Sequence, residues 1–95
     1  MKSPAVYIMA SRRNGTLYTG VTSSLAQRVH AHRTAATPGF AARYGCRLLV
    51  WYEPHEDMAA AIAREKQLKG GSRRQKLALI EAMNPDWHDL YEGLA

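Results

Sequence analysis

The chain lacks the residues that would make it a disulfide-rich or membrane-spanning protein. It has one cysteine, which excludes an internal disulfide and a metal site built from cysteines. No apolar run approaches the roughly 20 residues that a membrane span needs, and the N-terminus lacks the apolar stretch of a signal peptide. We therefore expect a cytoplasmic protein. Cys46 lies in an apolar run and is expected in the core, with a reactive thiol as the less favoured alternative.

Acidic residues are absent from the first half of the chain. Residues 1–52 contain no Asp or Glu, whereas residues 81–95 contain four acidic residues and no Lys or Arg. The basic residues of the first half are Lys2, Arg12, Arg13, Arg28, Arg33, Arg43 and Arg47. Because the planar guanidinium binds phosphate through paired hydrogen bonds, this bias indicates a polyanion partner, the alternative being a basic surface without a partner.

The order of apolar and turn-forming segments predicts the fold. Ninety-five residues, 46% of them hydrophobic, predict one domain over residues 1–95. Asn14-Gly15 separates two runs rich in β-branched and aromatic residues, which predicts a β-hairpin. Next we predict a helix over Leu25–Arg33, capped by Ser23 or Ser24 and stopped by Thr37-Pro38-Gly39, and then a helical turn over 40–44. A strand over 46–52 and a helix over 58–69 capped by Asp57 come after it. The last predicted helix begins with a Ser72–Gln75 capping box and ends at Asn84-Pro85. We predict an α/β fold in which helices flank a three-stranded antiparallel sheet, in the order β-β-α-β-α-α.

Tyr7 and Tyr18 lie in the two strands of the predicted hairpin. Side chains alternate between faces along a strand, so any antiparallel register that pairs odd with even numbers puts both tyrosines on one face. The structural interpretation is a cross-strand aromatic pair that stabilises the sheet. The functional interpretation is a site with two adjacent phenols.

Two polar residues, His32 and Arg28, lie in or beside the inward stripe of the first helix. Leu25, Val29 and His32 have the spacing of a buried stripe, and Arg28 lies one turn from both Leu25 and His32. A charged side chain at this border costs free energy unless it has a functional role or pairs with an opposite charge. The structural alternatives are that Arg28 extends to solvent and that His32 is a half-buried histidine with its hydrogen bonds satisfied.

Glu65 falls at the centre of another predicted stripe. The helix over 58–69 has its apolar positions at Met58, Ala61, Ile62 and Leu68. Carboxylates are rarely buried without a partner, so Glu65 is expected either to pair with Arg28 or to bind a hard cation. Mg²⁺ often takes only one or two protein carboxylates and completes its shell with water and substrate phosphate. One glutamate can therefore suffice.

Arg73, Arg74 and Lys76 open the last helix, where positive charge opposes the helix dipole. Free backbone N–H groups and basic side chains at a helix start form a phosphate-binding corner. A solvated basic face is the structural alternative.

Together these residues resemble the GIY-YIG nuclease superfamily, whose two signature tripeptides lie on a hairpin. The tripeptides correspond to Ala5-Val6-Tyr7 and Tyr18-Thr19-Gly20. The family's helical arginine, its histidine four residues later and its metal-binding glutamate match Arg28, His32 and Glu65. The chain looks most like the small stand-alone bacterial members, which are similar to the N-terminal nuclease domain of the bacterial excision-repair nuclease.

The resemblance implies an endonuclease that uses Mg²⁺ or Mn²⁺ to hydrolyse phosphodiester bonds of DNA, in repair or recombination. Glu65 would hold the metal and Arg28 would neutralise charge on the phosphate. One tyrosine would deprotonate the attacking water, with the metal and Arg28 favouring its phenolate form, and the other would position that water. We favour Tyr7 as the base and Tyr18 as the positioning residue, with the reverse assignment left open. His32 would relay the proton.

The remaining candidates concern binding. Asn84 is the candidate for a further asparagine of the family that supports the site. Arg12, Arg13, Arg33, Arg73, Arg74 and Lys76 are the candidates for contacts with the nucleic-acid backbone. Branched, flapped and RNA substrates stay open, and specificity must come from the basic surface or from a protein partner. The alternative function is a nucleic-acid-binding module that cuts poorly or not at all without such a partner.

Overall fold

The computed structural model describes residues 3–34 and 38–94, so Lys2 and Thr37 lie outside the described residues. The elements in chain order are β1 (Ala5–Ala10), β2 (Leu17–Thr22), α1 (Leu25–Arg33), α2 (Phe40–Arg43), β3 (Leu48–Pro54), α3 (Met58–Lys69), α4 (Arg73–Met83) and a 3-10 helix (Leu90–Leu94). The predicted fold class is confirmed, although β3 begins two residues later than predicted and ends at Pro54. Within the described ranges no helix is both long and apolar enough to cross a membrane.

The hairpin turn is built on Asn14, whose φ of 58° is left-handed. Asparagine tolerates this conformation better than most residues do. The Gly15 N–H donates to the Arg12 carbonyl at 2.9 Å, and the Ser11 hydroxyl oxygen accepts from the Thr16 N–H at 2.9 Å. Main-chain and side-chain bonds thus both close the turn, and the predicted hairpin is confirmed.

β1 is the central strand of the sheet, in the order β2-β1-β3 with both neighbours antiparallel. On one face Val6, Ile8 and Ala10 join a core cluster with residues of α3 and α4. On the other face Tyr7 and Met9 join a cluster with residues of α1, α2 and the 3-10 helix. Cover from both sides explains why β1 is an uninterrupted apolar run.

Cys46 fastens the segment between α2 and β3 to this second cluster. Its N–H donates to the Ala41 carbonyl at 2.8 Å, and its thiol donates to the Thr16 carbonyl at 3.5 Å. Burial raises the pKa of the thiol, so that the thiol is harder to convert to the reactive thiolate. The predicted core position of Cys46 is therefore confirmed.

Two of the three predicted helix caps are present. The Asp57 carboxylate accepts from the Ala60 N–H at 2.8 Å, and Ser72 and Gln75 form the reciprocal capping box. Ser24 occupies the N-cap position of α1, but its side chain makes no cap hydrogen bond, so that prediction is wrong. Its ψ of 89° differs from the 169° and 161° of the other two caps, and its N–H donates to the Thr22 hydroxyl instead.

The acidic C-terminal segment docks on the body of the protein. Trp87 is buried and its indole N–H donates to Glu81 at 3.1 Å. The Asp89 carboxylate accepts from the main-chain N–H groups of Leu49, at 3.2 Å, and Tyr91, at 3.1 Å. These bonds hold the 3-10 helix against β3 and complete the cluster that encloses Tyr7.

Gly20 makes room for the ring of Tyr7. The two residues are directly opposite each other in the β1–β2 pair. A Cβ atom added to Gly20 would lie 2.5 Å from the Tyr7 hydroxyl oxygen and 2.6 Å from the ring carbon that carries it. Because Tyr7 is fully buried, its ring has no free space into which to retreat.

We therefore expect Gly20→Ala to destabilise the fold by about 1 to 3 kcal/mol through overpacking, although alanine suits a strand better than glycine. Urea unfolding of both proteins measures the difference. Gly93→Ala is the matched control, since its added Cβ would meet no atom within 4 Å; its unfolding free energy should change by less than about 0.5 kcal/mol. Equal stability of the two variants would contradict the close approach of Tyr7 to Gly20.

Candidate active site

Three rings meet on one face of the sheet. Tyr7 pairs with Gly20 and Tyr18 pairs with Met9, which puts both tyrosines on one face as predicted. The Tyr7 and Tyr18 ring centroids are 6.3 Å apart, and the His32 ring lies 5.7 Å from Tyr7 and 5.2 Å from Tyr18. α1 supplies His32 from above the sheet, so the two phenols and the imidazole form one cluster.

A buried hydrogen bond joins the sheet to α1 within this cluster. The Tyr7 hydroxyl oxygen lies 2.9 Å from His32 Nε2. His32 Nδ1 is buried and has no hydrogen-bond partner among the described residues. Burial, together with the positive charge of Arg28, lowers the pKa of His32 below its usual 6.5. The imidazole is therefore neutral at pH 7 and can accept a proton.

Arg28 lies beside both phenols. It is half-buried on α1, one turn before His32. Hydrogen bonding with the Tyr7 side chain raises the pKa of Arg28 despite partial desolvation, and Tyr18 contributes in the same direction. The guanidinium thus supplies a positive charge near the two hydroxyl groups.

The pKa of Tyr7 differs from the sequence-based expectation. We expected Arg28 and a metal to favour the phenolate, but burial raises the pKa of Tyr7 to about 12 in the protein alone. Hydrogen bonding with Arg28 acts in the opposite direction and does not compensate. The reason is that Tyr7 is fully buried in the central strand, where desolvation strongly disfavours a charged phenolate.

Glu65 lies on α3, whose buried residues Ala61 and Leu68 pack in the first core cluster. Its negative charge contributes to the raised pKa of Tyr7, which indicates that the carboxylate acts on the phenol cluster. Its side chain is 15% exposed, and Oε2 lies 3.3 Å from Lys69 Nζ one turn later. Within residues 3–34 and 38–94, this ion pair to Lys69 takes the place of the pair with Arg28 that we had considered.

The predicted stripe of α3 is only partly buried. Ala61 and Leu68 are buried, but Ile62 is 38% exposed, contrary to prediction. α3 packs against β1 and β2, and β2 is an edge strand. One flank of the helix therefore opens to solvent, and Glu65 lies half-buried at this border rather than in the core.

The donor set suits a hard divalent cation that keeps much of its water shell. No group of three or more His, Cys, Asp or Glu side chains gathers within the part of the chain that the structure describes. A preformed cage is thus not present there, whereas Glu65 offers a single, partly exposed carboxylate. Glu65 fits Mg²⁺ or Mn²⁺ bound through one carboxylate, water and substrate phosphate.

The predicted backbone-binding residues separate into two groups. The Arg73 guanidinium donates to the Asn14 and Gly15 carbonyls of the hairpin turn, at 3.0 and 2.6 Å. This brings the start of α4 to the hairpin turn and defines a basic surface, formed by Arg12, Arg13, Arg73, Arg74 and Lys76. Arg33 does not join this surface, because it ion-pairs with Asp89 and lies 4.6 Å over the Tyr91 ring.

Asn84 is buried at the end of α4. Its amide nitrogen donates to the Val50 and His88 carbonyls at 3.2 and 2.8 Å, and its oxygen accepts from the His88 N–H at 3.0 Å. These bonds tie α4 to β3 and to the C-terminal segment. We therefore do not include Asn84 in the proposed catalytic machinery.

Sequence reasoning missed two aromatic side chains beside the site. Phe40 and Tyr44 are 48% and 46% exposed, and the Phe40 ring lies 6.2 Å from the Tyr18 ring. Their spacing of four residues around a short helix was a usable signal, because it puts both rings on one side of α2.

Comparison with known proteins agrees with this geometry. The family model for the GIY-YIG catalytic domain matches residues 3–78. The chain is 35% identical over 77 residues to the UPF0213 protein CPE1444 of Clostridium perfringens, which covers 81% of this chain and 82% of that protein. It is 33% identical over 90 residues to the UPF0213 protein DP2720 of Desulfotalea psychrophila, covering 90% and 78% of the two chains.

A solved structure has the same fold. The solution NMR structure of the UPF0213 protein BH0048 from Bacillus halodurans superimposes with a TM-score of 0.57 at 25% identity, covering 92% of each chain. The resemblance inferred from the tripeptides and from Arg28, His32 and Glu65 is thereby confirmed at the level of the family. The chain belongs to the GIY-YIG catalytic domain family.

Proposed function

We propose that this protein is a divalent-metal-dependent endonuclease that hydrolyses phosphodiester bonds of DNA in repair or recombination. The observation that carries the proposal is the buried Tyr7–His32 hydrogen bond, with Arg28 and the carboxylate of Glu65 near enough for their charges to act on Tyr7. Phosphodiester hydrolysis requires a proton acceptor for water and positive charge for the phosphate. This cluster supplies both.

Arg28 binds the phosphate. Its fork of N–H donors can engage two non-bridging oxygens, and its charge neutralises the negative charge that accumulates on them in the transition state. Removing such a preorganised donor from an active site typically costs about 10²- to 10³-fold in rate. The half-buried position strengthens the interaction, because less water screens it.

Tyr7 and His32 remove the proton from the attacking water. With a pKa of about 12, only roughly 10⁻⁵ of Tyr7 is phenolate at pH 7, so a free phenolate is a poor base. The Tyr7 hydroxyl instead takes a proton from water while passing its own proton to His32 Nε2, in the tautomer whose proton is on Nδ1. The P–O bond to water forms as one ester P–O bond breaks. Tyr18 holds the water in line.

Glu65 is the residue that would hold Mg²⁺ or Mn²⁺. Such a cation would polarise the phosphate and stabilise the leaving oxygen. Lys69 Nζ lies 3.3 Å from Glu65 Oε2, and this ion pair would have to open for Glu65 to hold the cation. The basic surface of Arg12, Arg13, Arg73, Arg74 and Lys76 binds the flanking backbone, and a protein partner would add specificity that phosphate contacts lack.

Loss of either charged group should abolish cleavage. We expect Glu65→Gln and Arg28→Ala each to slow the single-turnover cleavage of a labelled DNA by at least about 10²-fold, because each removes charge stabilisation of the transition state. Gel assays with Mg²⁺ and with Mn²⁺, on duplex, flapped and single-stranded DNA, measure the rates.

The matched control is Glu56→Gln, which alters an exposed glutamate just before α3 and should leave the rate unchanged. Thermal unfolding confirms that each variant folds. Equal cleavage by the wild type and by folded Glu65→Gln would refute the assignment. Salt-sensitive DNA binding by the wild type without any products would favour the alternative, a non-catalytic binding module.

The pH dependence of cleavage tests the proton relay. The pKa of His32 lies below 6.5, so the neutral acceptor persists down to that pH and is lost as pH falls further. We expect the cleavage rate to be constant between about pH 7 and 8 and to fall below about pH 6.5. In the falling part, the slope of the logarithm of the rate against pH should approach one. His32→Gln should be slower by about 10²-fold or more and lose this acid limb.

His30→Gln is the matched control, since His30 is exposed on the same helix and should keep the full profile. Folding must be followed at each pH. A histidine whose folded pKa is lowered contributes stability that is present above about pH 6.5 and lost as pH falls. An acid limb that persists in folded His32→Gln would exclude His32 as the acceptor.

A further inference from the structure

Two aromatic side chains beside the proposed active site are exposed in the part of the chain that the structure describes. Phe40 and Tyr44, here called the aromatic patch, have ring centroids 4.5 Å apart. The Phe40 ring is nearly parallel to the Tyr18 ring, at an interplanar angle of 26°. The aromatic patch thus extends the aromatic surface of the proposed active site from Tyr18 outward to the solvent.

The patch is held in place by the core. Ala41, between the two rings in sequence, is buried with Tyr7 and Val29 in the second cluster. The Cys46 N–H closes the segment onto Ala41 at 2.8 Å. Since α2 is anchored in this way, the exposure of both rings is a property of the fold. Paired exposed aromatic side chains are typical of a recognition surface.

The positive charge around the aromatic patch indicates which kind of ligand the patch binds. The Arg43 guanidinium lies 5.5 Å from the Tyr44 ring centroid, and Arg47 is exposed three residues after Tyr44. No acidic residue occurs in the sequence before Glu53. An apolar ring face among arginines is complementary to a nucleobase and its phosphate, because the base stacks on the ring and the phosphate pairs with the guanidinium.

We propose that the aromatic patch stacks an unpaired nucleobase next to the phosphate that is cut, so that the substrate is single-stranded or locally unpaired nucleic acid. This inference rests on the proposed function, because it places the base beside the same site. In a duplex, each base is stacked between its neighbours and its flat face is covered. A fully paired duplex can therefore contact the basic surface but not the aromatic patch.

Binding experiments in EDTA separate the two kinds of contact. A labelled strand of about 12 nucleotides, and the same sequence as a blunt duplex, are titrated with protein at low salt and followed by fluorescence anisotropy. We expect Phe40→Ala to weaken single-strand binding roughly 5- to 100-fold and to leave duplex binding within about 2-fold. Tyr44→Ala should act in the same direction, and Phe40→Trp should restore single-strand binding.

The matched control is Met83→Ala, which removes an exposed hydrophobic side chain at the end of α4. It should bind both DNA forms as the wild type does. Phe40→Leu tests the ring itself, because leucine keeps the apolar surface without a stacking face; it should bind the single strand as weakly as Phe40→Ala does.

An oligonucleotide of abasic sites completes the test, since it keeps the phosphates and lacks the bases. Wild type should bind it as weakly as Phe40→Ala binds the ordinary strand, with no further loss in Phe40→Ala. Equal weakening of single-strand, duplex and abasic binding would overturn the stacking role. So would a wild type that dimerises with rising concentration while Phe40→Ala stays monomeric, because the patch would then join two copies.

The proposed function fails in a different way. It fails if the wild type binds no DNA at low salt or cuts none with a divalent metal. The stacking inference alone fails if the wild type binds and cuts DNA and Phe40→Ala does so equally well on single strands.

Discussion

The hydrogen bond between the Tyr7 hydroxyl and His32 Nε2 is the interaction on which the rest of the site depends. It crosses from the central strand to α1, so the position of each residue is fixed by the packing of the other element. Gly20 leaves the space in which the Tyr7 ring lies, and Val29 packs α1 onto the same face of the sheet. Together these contacts fix the Tyr7 hydroxyl.

The electrostatics of the site follow from burial at this bond. Desolvation raises the pKa of Tyr7 and lowers the pKa of His32, so both groups are neutral at pH 7. A neutral donor and a neutral acceptor can share a buried hydrogen bond without the free-energy cost of an unpaired charge. Arg28 then remains the positively charged group beside the phenols.

Periodicity was sufficient to predict which residues share a face. To predict that Tyr7 and Tyr18 share a face, it is enough to know that odd-numbered residues of one strand pair with even-numbered residues of the other. To predict that Arg28 and His32 share a face, it is enough to know the number of residues per helical turn. The capping signals at Asp57 and Ser72 were equally local, and both are confirmed. These features depend on residues a few positions apart in the chain, and the sequence shows such spacings directly.

Features that depend on how elements pack could not be predicted. The exposure of Ile62 and the pairing of Glu65 with Lys69 follow from the position of α3 at an edge strand. The pKa of Tyr7 depends on the cover of its own face of the sheet by α1, α2 and the 3-10 helix, which a strand pattern does not reveal. The exposure of Phe40 depends on the way Ala41 anchors α2. In each case one tertiary contact decides between two local alternatives.

α1 illustrates how packing assigns different roles to similar residues. Arg28 and Arg33 are both half-buried arginines of this helix, and each was expected from the sequence to bind nucleic acid. Asp89, held by the main-chain N–H of Leu49, neutralises Arg33, whereas Arg28 lies beside the hydroxyl groups of Tyr7 and Tyr18. Because a phosphate competes poorly with a carboxylate already in place, the acidic C-terminal segment occupies Arg33, while Arg28 has no carboxylate partner among the described residues.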